Sequence, residues 1–97
     1  MRTIVATITK IKNLKSKYGK KFYYVFFKDE DGKNYKTCIY PNMRNYRNNN
    51  WFKFLQVGLT LGGLEVVSLN NSIINADSKP YIIEDNTLKQ SKHPKLF

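Results

Sequence analysis

The chain contains one cysteine, one histidine and three prolines, and only seven of its 97 residues are carboxylic acids. A single cysteine forms no internal disulfide, and Cys38 stands in a strand-like run, Tyr35 to Tyr40, that reads as a reduced thiol in the core. The one histidine, His93, lies near the end of the chain, and the carboxylates cluster at Asp29-Glu30-Asp31 or scatter as Glu65, Asp77, Glu84 and Asp85. No metal-ligand spacing, nucleophile–base pair or glycine-rich phosphate loop occurs, so neither an enzyme nor a cofactor or metal is expected. Long apolar runs are missing as well. Nothing approaches the roughly 18 consecutive residues of a membrane span, the start of the chain lacks a signal-peptide core, and the expected location is cytoplasmic. Asn70-Asn71-Ser72 matches a glycosylation sequon, which without a secretory signal is a chance match.

Positive charge and aromatic rings are plentiful. Lys and Arg outnumber Asp and Glu by 17 to 7, for a formal charge of +10 and a pI near 9.8. So strong a field on so small a body fits a polyanionic partner, nucleic acid before an anionic membrane. The two features coincide in Lys15 to Lys28, where Lys15, Lys17, Lys20 and Lys21 around Tyr18 lead into Phe22-Tyr23-Tyr24-Val25-Phe26-Phe27. Cations hold phosphates and flat rings stack on bases, the two chemistries needed to bind an unpaired strand without reading its sequence. The bias toward Lys, Asn, Ile and Tyr fits an AT-rich coding genome, and the small size a phage or mobile element.

At this length one domain is expected, residues 1–84, followed by a flexible basic tail, 85–97. Residues 3–12 are rich in β-branched types and read as a strand, with a loop over 13–21. Residues 22–28 and 34–40 read as a hairpin around Asp31-Gly32. A two-residue turn there sets Val25 opposite Cys38 and Phe27 opposite Lys36, and a slip of one residue exchanges the faces. Pro41 stops the third strand. Residues 43–57 pattern as one helix ended by Gly58, with Trp51 as a core anchor and Arg44, Arg47 and Lys53 on a solvated side. Strand segments over 59–69, 73–76 and 81–83 follow, with Gly62-Gly63 as a kink or bulge and a turn at 77–80.

Three short strands, a helix and further strands make the order of an oligonucleotide-binding barrel. The segment Gly19 to Gly32 resembles the second-to-third-strand hairpin of OB-fold single-stranded DNA-binding proteins, and Leu55 to Leu64 resembles their helix exit into the fourth strand. The resemblance implies an all-β fold with one helix, a five-stranded OB-fold Greek-key barrel with the helix between strands 3 and 4. It implies single-stranded DNA as partner, bound with little sequence specificity in DNA replication or recombination. It also implies a binding face made of Lys15, Lys17, Tyr18, Lys20 and Lys21 in the first loop and Phe22, Tyr24, Phe26, Lys28, Lys36 and Tyr40 on the strands. Lys79 and Tyr81 stand where they close the groove. The hairpins of that family send positions such as Val25 and Phe27 inward, leaving Tyr24 and Phe26 outside.

The tail ends in His93-Pro94-Lys95-Leu96-Phe97, a weak likeness to peptides that bind sliding clamps, so Leu96 and Phe97 are candidates for contact with replication proteins. Its basic charge departs from the acidic tails of bacterial single-stranded DNA-binding proteins. Two alternatives use the same face: an OB-fold RNA-binding protein, and a phage-encoded interaction module directed at a replication factor. Self-association through a sheet edge stays open.

Overall fold

A computed structural model describes residues 2–68, 70 and 72–85. The elements are β1 (Arg2–Lys15), β2 (Lys21–Asp29), β3 (Asn34–Ile39), α1 (Arg44–Asn48), α2 (Trp51–Phe54), β4 (Leu59–Ser68), β5 (Ile73–Ile74) and β6 (Tyr81–Asp85). They form one six-stranded sheet in the order β1-β2-β3-β5-β4-β6, with β1 also pairing β4. All contacts are antiparallel except that of β3 with β5, which is parallel and consists of the single pair Lys36↔Ile73.

The expected five-stranded Greek-key barrel with one helix is therefore corrected. Six strands are present, one contact is parallel, the helical segment is two short helices, and one residue pair joins β3 to β5 where a barrel wall needs a continuous ladder. The resemblance to OB-fold single-stranded DNA-binding proteins rested on that architecture and falls with it. The extra strand arises because 73–74 and 81–85 both pair with β4, along successive parts of the edge opposite β1.

Side-chain alternation drives the sheet's inner face. Val25 and Phe27 of β2, Tyr35 and Ile39 of β3, and Leu59, Leu61, Leu64 and Val66 of β4 are buried, joined by Ala6, Ile8 and Ile74. Two irregularities let a long β1 serve two neighbours. Thr9 is an extra residue against β2, between the pairs Ile8↔Phe27 and Lys10↔Phe26. Gly62-Gly63 bulge opposite Val5, as the glycines predict, because Ile4 pairs with Leu64 and Ala6 with Leu61. The Thr9 bulge turns Lys10 and Lys12 outward while Ile8 and Ile11 stay on the core side.

Helix 43–57 is broken at Asn50, which takes φ 65, a left-handed conformation that asparagine tolerates better than most residues. The asparagines tie the segment down. Asn45 Nδ2 donates to the Ala76 carbonyl at 2.9 Å, Asn49 Nδ2 to the Asp77 carbonyl at 2.9 Å, and Trp51 Nε1 to the Ala76 carbonyl at 2.8 Å. Trp51 is fully buried, edge-on to Phe27 at 6.5 Å, so the core-anchor expectation holds.

Candidate nucleic-acid interface

Both hairpins that frame the outer face use the same turn. In the first, the Ser16 N–H donates to the Lys20 carbonyl at 2.8 Å and the Gly19 N–H to the Ser16 carbonyl at 2.9 Å, with Gly19 at φ +82. In the second, the Asp29 N–H donates to the Lys33 carbonyl at 3.0 Å and the Gly32 N–H to the Asp29 carbonyl at 3.0 Å, with Gly32 at φ +83. Each is a three-residue loop whose glycine takes the left-handed position. The first residue locks it from the side: Ser16 Oγ accepts the N–H groups of Tyr18 and Lys20, and Asp29 Oδ1 those of Asp31 and Lys33.

This geometry corrects two expectations. The loop over 13–21 is a tight tip on strands that extend to Lys15 and from Lys21, so Tyr18 is held up in solvent, 81% exposed. The second turn has three central residues rather than two, which shifts the register by one. Tyr24 lies opposite Cys38, Val25 opposite Thr37 and Phe26 opposite Lys36. Thr37 and Ile39 are consequently buried, and Cys38 is an exposed thiol, not a core one. Partial burial pushes the Cys38 thiol above its ordinary range, opposed by the lowering effect of Lys36.

The outer face is built in rows across three strands. Lys10, Phe26 and Lys36 form one row, Lys12, Tyr24 and Cys38 the next, and Leu14 and Phe22 the third, where Phe22 stacks on Tyr40 at 5.2 Å. Phe22, Tyr24 and Phe26 thus run down the middle strand with lysines on both sides. Tyr24 and Phe26 touch at 5.0 Å, tilted by 47°. The lysines reach diagonally: Lys12 Nζ sits 5.7 Å from the Phe26 centroid and Lys36 Nζ 5.9 Å from that of Tyr24. Lys17 Nζ lies 5.4 Å from the Tyr18 ring. None of the outward positions in these rows is a carboxylate, and at the rim Lys15 pairs directly with Lys21, a like-charge arrangement that opposes folding. A depression of about 650 Å³ between Tyr18, Lys17, Lys20, Tyr40 and Met43 continues the face at that end.

Of the residues singled out in the sequence, Phe22, Tyr24, Phe26, Lys36 and Tyr40 share this face, with Lys28 of the same outward parity, Lys17, Tyr18 and Lys20 stand at its rim, and Lys15 and Lys21 pair at the rim one step out of phase with Phe22. Lys28 is exposed at the opposite end of β2. Lys79 and Tyr81 lie apart, at the β4–β6 edge, with β4 and β1 between them and β2. The Tyr81 ring covers the Gly62-Gly63 bulge so closely that a Cβ on Gly62 would stand 2.7 Å from Cζ, which gives that ring a packing role. Leu96 and Phe97 lie outside the described residues. Lys10 and Lys12 were not among the sequence candidates; strict alternation sets them on the side of Ala6 and Ile8, and the Thr9 bulge is what turns them outward. Among the described residues no group of three or more His, Cys, Asp or Glu side chains is placed to hold a metal, and no helix is long and apolar enough to cross a membrane. Comparison with protein-family models, curated proteins and solved structures gave no match.

Proposed function

We propose that the β1–β3 face binds single-stranded DNA with little sequence specificity, the bases stacking on aromatic rings and the phosphates lying against lysines. The observation that carries this reading is the row Phe22, Tyr24 and Phe26 flanked by Lys10, Lys12 and Lys36 with no carboxylate among them. An anion between Lys15 and Lys21 relieves their repulsion, and Tyr18 has no core to enter. Unpaired DNA arises in replication and recombination, which is the cytoplasmic setting this ligand suggests. The face offers rings and cations and no converging set of side-chain amides, so stacking outweighs base reading.

The test is fluorescence anisotropy with a labelled oligothymidylate, comparing the wild type with Tyr24→Ala and Phe26→Ala. Each replacement should weaken binding about 5- to 150-fold, the range of one base stack. Unchanged affinity in both variants would place the ligand on another surface. Single-stranded RNA of the same length serves as the competing ligand, and stronger binding to it would assign the face to RNA.

A further inference from the structure

A second ring-and-cation group stands beyond the rim of the β1–β3 face, on the helical segment. Tyr46 of α1 stacks on Tyr23 at 6.4 Å and 17°, and Phe52 of α2 lies 6.0 Å from Tyr46, tilted by 50°. Lys53 Nζ sits 5.8 Å from the Phe52 centroid, and Arg47 is exposed on the same short helical pair. Tyr23, Tyr46, Phe54 and Leu55 pack against the core, and Phe52 does not; it is 48% exposed. A large ring left in water beside a lysine repeats the arrangement of Tyr24 with Lys36 and of Tyr18 with Lys17.

The two groups lie on opposite sides of β2 and approach each other at the rim. The rows of the outer face run from Phe26 through Tyr24 to Phe22 and Tyr40, and the depression between Tyr18, Lys20, Tyr40 and Met43 leads on to Arg44, where α1 begins. Met43, 56% exposed, lines the depression at this end. Tyr23, which carries Tyr46, lies between Phe22 and Tyr24 on β2 and turns to the core side, so the second group stands on the other side of β2 and is reached only around the rim.

We infer that Phe52 and Lys53, supported by Tyr46 and Arg47, form a second stacking subsite for an unpaired nucleic-acid strand, reached over the Tyr18–Met43 rim. This rests on the reading of the β1–β3 face given above. It makes the site longer than the sheet and assigns a ligand to cations that the sequence pattern leaves as a solvated helix side. A strand short enough to lie on β2 alone does not reach it, whereas one that crosses the rim does.

That length dependence provides the experiment. Anisotropy is measured with labelled oligothymidylates of about 5 and about 15 nucleotides, near the two ends of the site sizes known for single-strand grooves. The proteins compared are the wild type, the double variant Phe52→Ala with Lys53→Ala, and Phe52→Tyr. The double variant should lose about 5- to 150-fold in affinity for the long oligomer and less than twofold for the short one. Phe52→Tyr should restore the long-oligomer affinity. Both replaced side chains are exposed, so the thermal midpoint should stay within a few degrees of the wild type. An unchanged affinity for the long oligomer, or an equal loss on both lengths, overturns the second subsite while leaving the β1–β3 reading intact. Failure of the wild type to bind either oligomer overturns both.

Discussion

Tyr24 and Cys38 face each other across β2 and β3, and that pair gives the surface a built-in reporter. The Cys38 thiol is exposed, so it should react with a disulfide reagent in the free protein, more slowly than a simple thiol because its pKa is raised. A strand lying on Tyr24 covers it. Saturating single-stranded DNA should therefore slow the modification at least several-fold, followed by release of the coloured thiolate, and an unchanged rate would mean that the ligand avoids this row. Single-residue chemistry also explains the turns. At φ +83, Gly32 has open space around its missing Cβ, so Gly32→Ala meets no clash and costs about 1 kcal/mol from backbone conformation alone. A thermal or urea melt that showed no loss would contradict the left-handed turn.

At the scale of elements, Trp51 holds the helical segment in place through burial and through its bond to Ala76. Trp51→Ala should cost about 3–5 kcal/mol in a urea melt, and Trp51→Phe distinctly less, since the ring that meets Phe27 is largely kept. Strand positions are legible in the sequence because β-branched and aromatic runs alternate and are punctuated by Asp29 to Lys33, Pro41 and Asp77 to Pro80. The inward turn of Val25 and Phe27 is not legible in that alternation, because both faces of the hairpin hold aromatics, and it is expected only through the OB-fold resemblance. The register is not legible either, because a two-residue turn and a three-residue turn with glycine in the left-handed position share the Asp-Gly signature. That one residue decides whether Cys38 or Ile39 enters the core. The single helix fails where Asn50 leaves helical geometry, and the asparagines that look like compositional bias are the clamps to Ala76 and Asp77. Lys10 and Lys12 join the face through the Thr9 bulge, and a bulge at a threonine has no sequence mark. Six strands replace five because the segments at Ile73–Ile74 and Tyr81–Asp85, both read as strands in the sequence, each pair with β4, whereas five is the count that the OB-fold resemblance implies.

Over the whole molecule, charge is distributed unevenly. Nine of the 17 basic residues, from Lys10 to Lys36, belong to the three-stranded part, whose only carboxylates are Asp29, Glu30 and Asp31 at the far turn. Such a face should bind an unpaired strand in a salt-sensitive way. If Lys10, Lys12, Lys15, Lys17, Lys21 and Lys36 each meet a phosphate, the logarithm of the binding constant should fall with that of the salt concentration with a slope of about −4. Charge alone does not distinguish one polyanion from another, because a duplex carries phosphates at higher density. The rings do, since bases in a duplex are already stacked on each other and unavailable to Phe22, Tyr24 and Phe26. The most direct measurement is the affinity for single-stranded DNA and for duplex DNA of equal length, titrated side by side at two salt concentrations. Tighter binding of the single strand, retained at the higher salt where the phosphate contribution shrinks, is the predicted result, and equal affinity for the duplex would contradict the stacking surface.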